Sequence, residues 1–254
     1  MSQAARRAAI VTGAASGIGA AIATRLGTDG VDVLAVDLDP ATAGGPGGAG
    51  VPFAADLTTR AGNRGAVDAA LERFGRLDII VANAGFQHVS PVAEFPEERW
   101  DALLALMLTS PFLLAKYGWP ALLEAPAGGR FLVVASAHAL VASPFKAGYV
   151  AAKHGALGLV KTLALEGAGH GISATAICPG YVRTPLVERQ ITAQALAHGL
   201  SEDRVLEDVI LAAQPVKRLI EPAEVAELAS FLLGPHGRSF TGVPVSMDQG
   251  WTAR

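Results

Sequence analysis

The chain has 254 residues, of which 51% are hydrophobic, and it carries a formal net charge of −3. This length suits one large domain or two small ones, and the apolar content is sufficient for a large core. The weak negative charge, with no basic run longer than Arg6-Arg7, argues against a nucleic-acid-binding surface. The single cysteine, Cys178, excludes an internal disulfide and a thiolate metal cluster, and we expect no metal.

The amino-terminal residues lead into a strand-like run and lack the apolar core and cleavage site of a signal peptide. No apolar stretch approaches the roughly 18 residues that a bilayer-spanning helix needs. We therefore expect a soluble cytoplasmic protein that does not bind membranes.

Short apolar runs alternate with helix-periodic segments along the chain. The predicted strands lie at residues 8–11, 31–36, 51–55, 77–82, 131–136, 172–177 and 243–247. The predicted helices lie at residues 18–26, 60–74, 97–123 with a bend at Pro111, 149–166 and 222–233. This alternation predicts right-handed β-α-β units, and hence a parallel sheet covered by helices on both faces.

No change in composition marks a domain boundary, and we predict one doubly wound, Rossmann-type α/β domain over residues 1–254. A Gly- and Pro-rich segment at 41–50 is expected to be a loop. The longest connection, at about 181–215, contains helical pieces. Insertions of this kind often form lids over a site, and we predict that role for it.

A glycine-rich segment, Thr12-Gly-Ala-Ala-Ser-Gly-Ile-Gly19, follows the first strand and opens the first helix. Gly13 permits a tight turn, Gly17 a close approach of the backbone to a pyrophosphate, and Gly19 close packing of the helix on the sheet. The free amides at the start of the helix suit phosphate. Such a loop also serves as a plain turn, but its position between strand and helix favours a dinucleotide site.

Two aspartates follow the next two strands. Asp37, 18 residues after Gly19, is placed to accept from the ribose hydroxyls of an adenosine, and its charge would repel the 2′-phosphate of NADP. We therefore predict NAD as the cofactor. Asp56 is placed to accept from the adenine amino group, and its alternative role is to cap the helix that follows Thr58.

The segment from Ser136 to Lys153 carries the candidate catalytic residues. Tyr149 and Lys153 are four residues apart, which places them on one face of a helix. A nearby ammonium favours the ionised phenol, so that Tyr149 would exchange a proton near neutral pH. Ser136 ends a buried strand, where its hydroxyl can face a ligand crevice. Taken alone, a Tyr and a Lys at this spacing are more often surface residues of an amphipathic helix.

With Asn83-Ala-Gly85 and Pro179-Gly180, these motifs occur in order along nearly the whole chain, and the sequence resembles the short-chain dehydrogenase/reductase superfamily. The resemblance implies a hydride-transferring enzyme, a seven-stranded sheet in the order 3-2-1-4-5-6-7 and a homotetramer. It assigns catalysis to Ser136, Tyr149 and Lys153. The motifs and the resemblance together assign cofactor binding to Gly13, Ser16, Gly17, Ile18, Gly19, Asp37, Asp56, Leu57, Asn83, Tyr149, Lys153, Val182 and Thr184.

A narrower resemblance is to the bacterial D-3-hydroxybutyrate dehydrogenases. It is carried by Asn83–His88, Tyr149–His154, Ile177–Gly180, Val182–Val187 and Gly250–Arg254. It implies a small-molecule substrate, (R)-3-hydroxybutyrate, whose carboxylate ligands fall on Gln87, His138, Lys146 and Gln190. Cationic and amide donors beside the catalytic pair suit a short acid. Singly, each of the four has an ordinary alternative as a loop or surface residue.

The chain departs from the family pattern at three positions. Met107 replaces an asparagine that the family uses, partly through its backbone carbonyl, in a water-linked proton relay to the lysine. Ala82 replaces a second asparagine, and Tyr181 stands where the narrower group has tryptophan. Met107 is the one feature that favours a non-catalytic dinucleotide-binding regulator. The other alternative is a dehydrogenase for another hydroxy acid, a sugar or a cyclic alcohol.

Overall fold

Seven parallel strands form one sheet in the computed structural model, which describes residues 6–39 and 50–253. The strands are β1 Ala8–Thr12, β2 Asp32–Asp37, β3 Val51–Ala54, β4 Ile79–Ala82, β5 Arg130–Val134, β6 Ser173–Pro179 and β7 Pro244–Met247. Their order, β3-β2-β1-β4-β5-β6-β7, confirms the predicted fold class. Each strand begins and ends within two residues of its predicted bounds. The loop predicted at 41–50 lies, apart from Gly50, outside the described residues.

Helices cover both faces of the sheet because alternate side chains of each strand point in opposite directions. The helices are α1 Gly17–Thr28, α2 Arg60–Phe74, α3 Glu97–Leu104, α4 Ser110–Leu123, α5 Ala147–Gly167, α6 Pro185–His198, α7 Glu202–Val205 and α8 Pro222–Leu233. In β1, Ile10 points into a core shared with α2, α4 and α5. Ala9 and Val11 point into a second core shared with α1 and α8.

A π-turn at Ala105–Thr109 joins α3 to α4 in one continuous helical run. The sequence predicts the irregularity at Pro111, and the structure places it one turn earlier. Pro111 has no N–H for the carbonyl of Met107, four residues before it, so regular α-helical bonding cannot continue through this point. Ser110 instead donates its N–H to the Ala105 carbonyl, five residues earlier.

The same helical run is long and apolar enough to cross a membrane by length and composition, contrary to the expectation from the sequence. Thr109, Ser110 and Lys116 interrupt its apolar residues, which is why no long apolar stretch is visible in the sequence there. In the structure Leu114 and Leu122 are fully buried in the core over the sheet. This packing is that of a core helix in a soluble protein.

The carboxyl ends of the parallel strands meet at one edge of the sheet. From β1 the chain builds outward to β2 and β3 on one side, and to β4 through β7 on the other. The strand order thus reverses between β1 and β4, and a crevice opens at such a point. Asp37 ends β2 and Asp56 follows β3, whereas Ser136 and Tyr181 follow β5 and β6. The fold therefore places the predicted nucleotide carboxylates and the predicted catalytic serine on opposite sides of the crevice.

The 181–215 insertion contains α6, α7 and a π-turn at Leu206–Ile210. Its root is a short parallel bridge between Val182 and Ile220. It shares a small apolar cluster with the segment that follows it, formed by Val187, Ile191, Ala195, Val205, Ile210, Leu211 and Leu219. The insertion thus has its own packing and is not an extension of the sheet.

We predict that Gly19→Ala destabilises the fold. A Cβ at residue 19 would lie 2.0 Å from the carbonyl oxygen of Gly13, so the glycine turn and α1 would have to separate. The expected loss in the free energy of unfolding, measured by urea denaturation, is about 1–3 kcal/mol. Gly158→Ala is the matched control, because nothing lies within 4 Å of a Cβ there. The control should stabilise the protein by about 0.5–1 kcal/mol. Equal effects would contradict the close packing at Gly19.

Candidate active site

A cavity of about 790 Å³ lies at the carboxyl edge of the sheet, between the strand ends and α6. All of the predicted site residues except Gly19 line it. They are Gly13, Ser16, Gly17, Ile18, Asp37, Asp56, Leu57, Asn83, Gln87, Met107, Ser136, His138, Lys146, Tyr149, Lys153, Val182, Thr184 and Gln190. The fold thus gathers residues from distant parts of the chain into one cavity.

The glycine turn is held by hydrogen bonds from the end of β4. Asn83 Nδ2 donates to the carbonyl of Thr12 at 2.8 Å. The backbone N–H groups of Asn83 and Ala84 donate to Thr12 Oγ1 at 2.9 and 3.1 Å. A Cβ at Gly13, whose φ is +66°, would lie 2.8 Å from Asn83 Nδ2. Asn83, predicted to bind a cofactor, therefore also shapes the turn that would receive it.

The start of α1 forms a cradle suited to an anion. Ser16, the N-cap residue, makes no capping hydrogen bond with its side chain, and the first-turn residues Gly17 and Ile18 line the cavity. A Cβ at Gly17 would lie 3.0 Å from Thr184 Cγ2, so only a bare backbone leaves room there. The Thr184 hydroxyl accepts from the amide of Val187 at 3.4 Å as the N-cap of α6. A dinucleotide pyrophosphate fits this cradle.

The two aspartates predicted to bind the adenosine have different partners. Asp37 Oδ2 accepts from the amide of Ala15 at 2.9 Å, and its Oδ1 accepts from the amide of Leu38 at 2.8 Å. Asp37 therefore ties the glycine turn to the end of β2. Asp56 Oδ1 accepts from the hydroxyl and the amide of Thr58 at 2.6 and 2.9 Å, and these bonds lower the pKa of Asp56. Asp56 thus forms a turn with Thr58, but it is not the cap that the alternative expects, because the N-cap of α2 is Thr59, whose hydroxyl accepts from the amide of Gly62 at 2.9 Å.

Ser136, Tyr149 and Lys153 meet on one side of the crevice. The Ser136 hydroxyl and the Tyr149 phenol both line the cavity, and the hydroxyl lies near enough to lower the pKa of the phenol. The Lys153 ammonium lies 5.5 Å from the centre of the Tyr149 ring and donates to the carbonyl of Val134 at 2.8 Å. Lys153 is only 5% exposed, so this pair is not the surface pair that the spacing more often represents.

The electrostatics of this group differ from the expectation. Burial raises the pKa of the Tyr149 phenol above its ordinary value, and the Ser136 hydroxyl offsets part of that rise. Burial also lowers the pKa of Lys153 to about 8. The net shift of the Tyr149 pKa is therefore upward, opposite to the lowering expected from Lys153. The physical reason is that both groups lose hydration, while the ammonium is directed at Val134.

His138 is buried and neutral. Burial, and then the nearby Lys146 and His154, lower the pKa of His138 to about 4. Its Nε2 lies 2.9 Å from Ser143 Oγ, and its Nδ1 lies 3.5 Å from Ser136 Oγ. The sequence favours His138 as one of the cationic donors, and its burial in the structure corrects this prediction. A neutral imidazole supplies one N–H donor and no charge.

The other three predicted carboxylate ligands line the same cavity. Gln190 Nε2, on α6, donates to Gln87 Oε1 at 3.0 Å across 103 residues of sequence. Lys146 Nζ donates to the phenol of Tyr181 at 3.2 Å. These contacts connect α6 to the loop after β4, and the start of α5 to the end of β6. The donors are therefore held in fixed positions around the cavity.

Trp251 lines the cavity, although the sequence analysis predicts no role for it. Its ring stacks on Tyr181, with the centroids 5.7 Å apart and an angle of 4° between the planes. Its ring also meets His138 edge to face at 5.0 Å. We call Tyr181 and Trp251 the aromatic wall. The sequence signal for Trp251 is weak, because an aromatic residue just after the last strand has no periodicity that marks it as buried.

Met107 lies in the interior next to the tyrosine. It is 2% exposed and packs with Ala152 and Tyr149 in a small apolar cluster. Its sulfur lies 2.9 Å from the position that a Cβ at Gly85 would take. Met107 thus fills space with apolar contacts where the family places an amide, and its backbone carbonyl belongs to the π-turn before Pro111.

Charge is distributed unevenly along the cavity. Among the described lining residues the carboxylates are Asp37 and Asp56, on the side of β2 and β3. The lining cations are Lys146, Lys153 and Arg189, on the side that holds Ser136. No carboxylate lines that second side within the described residues. Such a distribution favours an anionic molecule beside the serine and tyrosine.

A hydroxyl, a phenol and an ammonium beside a glycine turn suit hydride exchange at an alcohol carbon, and on this sheet they define a nicotinamide-dependent oxidoreductase. Residues 13–252 match the family model described as Enoyl-(Acyl carrier protein) reductase. The chain belongs to the short-chain dehydrogenase/reductase family, and it is a short-chain alcohol dehydrogenase similar to the 3-hydroxybutyrate dehydrogenases.

Full-length relatives support this assignment. The chain is 43% identical to a D-beta-hydroxybutyrate dehydrogenase of Rhizobium meliloti (strain 1021), over 98% of this chain and 99% of the relative. It is 40% identical to a D-beta-hydroxybutyrate dehydrogenase of Cupriavidus necator, over 98% of each chain. The crystal structure of a levodione reductase is similar with a TM-score of 0.87 and 29% identity, over 97% of this chain and 98% of that chain. Related chains thus carry different substrate names on one fold.

We predict that Lys153 makes the protein more stable at alkaline than at neutral pH. The pKa of Lys153 is about 8 in the folded protein, against about 10.4 in an unfolded chain. The unfolded chain therefore binds more protons between these values, and the free energy of unfolding rises with pH. From pH 7 to 9.5 the wild type should gain about 2 kcal/mol relative to Lys153→Met, as measured by urea denaturation. Parallel pH profiles of the two proteins would contradict a buried charge at this position.

Proposed function

We propose that this protein is an NAD-dependent dehydrogenase of a small 3-hydroxy acid, with (R)-3-hydroxybutyrate and acetoacetate as its substrate pair. The observation that carries the proposal is the cationic side of the cavity, where Lys146 and Arg189 lie with Ser136 and no described carboxylate is present. A 3-hydroxy acid has its carboxylate two carbons from the reacting carbon, so one molecule can engage Ser136 and Lys146 together. The names of the Rhizobium and Cupriavidus relatives support the same substrate.

Asp37 supports NAD over NADP. The amides of Ala15 and Leu38 hold its carboxylate at the end of β2, where it would accept from ribose hydroxyls and repel a 2′-phosphate. The pyrophosphate would lie on the glycine turn and the start of α1. When bound, NAD supplies the acceptor for the hydride that leaves C3 of the substrate, and NADH returns it.

Tyr149 carries the proton in the proposed reaction. In oxidation its phenolate takes the proton of the substrate hydroxyl while the C3–H bond breaks, and in reduction the phenol returns this proton to the carbonyl oxygen. Ser136 donates to the same oxygen and stabilises the negative charge that develops on it. Because burial raises the pKa of Tyr149, the phenol predominates at neutral pH. Reduction is therefore favoured near pH 7, and the rate of oxidation should rise with pH.

The remaining lining residues would hold the rest of the substrate. Lys146 supplies a charge-assisted hydrogen bond to the carboxylate, and Gln87 and Gln190 supply amide donors. His138 contributes a neutral donor. The aromatic wall offers an apolar surface for the methyl end of the acid.

Two other functions compete with this proposal. A neutral sugar or cyclic alcohol would bring no negative charge to the cationic side of the cavity, so the Lys146 ammonium would lose hydration without an ionic partner, which is costly. A non-catalytic regulator would have no need for Ser136, Tyr149 and Lys153 together in one cavity. Met107, the feature that favours a regulator, has an apolar packing role that leaves its backbone carbonyl in place.

The proposal extends to the whole protein. We propose one domain over residues 1–254 that assembles as a homotetramer in the cytoplasm, as the resemblance to the family implies. We also propose that the 181–215 insertion closes over the substrate as a lid, which the hydrogen bond between Gln190 and Gln87 supports. Analytical ultracentrifugation of the full chain tests the assembly.

Purified protein mixed with NADH and acetoacetate is expected to lose NADH absorbance. Methyl acetoacetate, which has the same ketone but no carboxylate, should react with a kcat/KM lower by about 10–100-fold, since a charge-assisted hydrogen bond is lost. NADPH should be at least about tenfold poorer than NADH because of like-charge repulsion at Asp37. Tyr149→Phe should lower kcat by about 10²–10⁴-fold while NADH still binds.

Each of these comparisons has an outcome that contradicts one part of the proposal. Equal turnover of the acid and its methyl ester rules out the carboxylate site. Near-normal turnover by Tyr149→Phe rules out its role in proton transfer. Tight NADH binding without turnover of any hydroxy acid, sugar or cyclic alcohol favours the regulator.

Replacing Lys146 is expected to weaken the binding of acetoacetate alone. Lys146→Met should raise the KM for acetoacetate by about 10–100-fold, the effect of losing one charge-assisted hydrogen bond, and leave NADH affinity nearly unchanged. Lys161→Met, at an exposed position on the same helix α5, is the matched control. If both variants behave alike, Lys146 is not a carboxylate ligand.

A further inference from the structure

A buried glutamine joins the two ends of the 181–215 insertion. Gln214 is 0% exposed, which is unusual for this residue type. Its Oε1 accepts from the backbone N–H of Tyr181 at 2.9 Å. Its Nε2 donates to Oε1 of Gln249 at 2.7 Å. One side chain therefore connects the beginning of the insertion, its end, and the turn that follows β7.

Gln249 has a strained backbone that these contacts help to hold. Its φ is +55°, in the left-handed region that residues with a side chain rarely adopt. With its amide rotated by half a turn, the side chain donates to the carbonyls of Arg218 and Val216 at 2.7 and 3.1 Å. That orientation and the hydrogen bond from Gln214 Nε2 to Gln249 Oε1 exclude each other, because two amide nitrogens would then face each other, but the two side chains are in contact at 2.7 Å in both orientations. The turn after β7 thus takes its shape from the end of the insertion.

Both polar atoms of the Gln214 side-chain amide lead to the aromatic wall. The oxygen binds the backbone of Tyr181 itself, and the nitrogen contacts Gln249, two residues before Trp251. Asp248 completes the turn by accepting from the amides of Gly250 and Thr252 at 3.1 and 2.9 Å. The two stacked rings therefore belong to backbone segments, one at Tyr181 and one at Gln249–Trp251, that the buried side-chain amide of Gln214 links.

Gln214 is closely packed, and it does not touch the cavity in which the substrate would lie. A Cβ at Gly180 would lie 2.6 Å from Gln214 Oε1, so the amide has little room to shift. Gln214 does not line the cavity. Tyr181, which it holds, accepts from Lys146 Nζ at 3.2 Å through its phenol. The position of the predicted carboxylate ligand therefore depends on the residue that Gln214 anchors.

We propose that Gln214 is a positioning residue for substrate binding, which holds the aromatic wall in place and, through the Tyr181 phenol, orients Lys146. The identity of the substrate in this proposal rests on the proposed function, whereas the effect on the wall does not. Methionine has a similar length to glutamine but neither donates nor accepts, so Gln214→Met removes the contacts with Tyr181 and Gln249 at once.

The first test follows the wall without any substrate. In a Trp100→Phe, Trp119→Phe background only Trp251 emits, and quenching by acrylamide reports its exposure. Gln214→Met is expected to increase this quenching. Lys217→Met is the matched control, because Lys217 Nζ donates to the Leu211 carbonyl at 2.6 Å in the same segment but has no bond to the wall. The control should leave the quenching unchanged.

The second test measures the effect on the reaction. Gln214→Met should raise the KM for acetoacetate about tenfold, as expected for loss of a positioning hydrogen bond, with kcat and NADH affinity little changed. In a Trp251→Ala background the same substitution should raise KM much less, since coupled residues are not additive. Gln214→Glu, whose carboxyl still accepts from the Tyr181 amide, should restore most of the affinity.

The outcomes separate the two proposals. Unchanged quenching and an unchanged KM in Gln214→Met, with only a lower melting temperature, overturn the positioning role. Additive effects of Gln214→Met and Trp251→Ala overturn it as well. If the wild type fails to reduce acetoacetate, the proposed function fails, and the quenching experiment alone decides on Gln214. Should Gln214→Met not fold, Gln214→Asn, which is too short to reach both partners, takes its place with the same expected results.

Discussion

The hydrogen bonds from Asn83 and Ala84 to Thr12 join the ends of β1 and β4, where the winding of the chain reverses. The site depends on this junction because a crevice for a ligand forms only at such a reversal. Thr12 Oγ1 accepts two amides there and donates to the Val81 carbonyl at 3.3 Å. The glycine turn is thereby fixed against β4, and a side chain at Gly13 would collide with it.

Burial shifts the three titratable groups nearest to the Ser136 hydroxyl toward their neutral forms. The pKa of Tyr149 is raised, and the pKa values of Lys153 and His138 are lowered to about 8 and about 4. Charge for an anionic ligand is left to the less buried Lys146 and Arg189. At neutral pH Lys153, with a pKa of about 8, still carries most of its charge, so the phenol has one buried ammonium beside it in addition to the separate cations of the carboxylate site.

Strands, helices and most lining residues were predictable because they depend on local pattern. A strand such as Ala8–Thr12 is an apolar run before a glycine turn, and the position of a residue after a strand predicts the edge on which it lies. The errors arise where the answer depends on surroundings. Spacing indicates that Lys153 is near Tyr149 but says nothing about lost hydration, and it does not reveal that His138 is enclosed and neutral. Gln214 has no periodicity or motif that marks it, and Trp251 lies in Gly250–Arg254, a segment that carries the narrower resemblance but assigns Trp251 no role.

By itself, the sequence determined the fold class, the order of the elements and the residue types available for chemistry, since these follow from periodicity, glycine positions and motifs. Tertiary structure decided how those residues meet: that Asp56 forms a turn with Thr58, that Gln190 reaches Gln87, and that Gln214 holds Tyr181. It also decided the protonation states. The physical reason is that burial and contacts between distant segments exist only once the sheet and the insertion enclose the cavity, and these set both hydration and geometry.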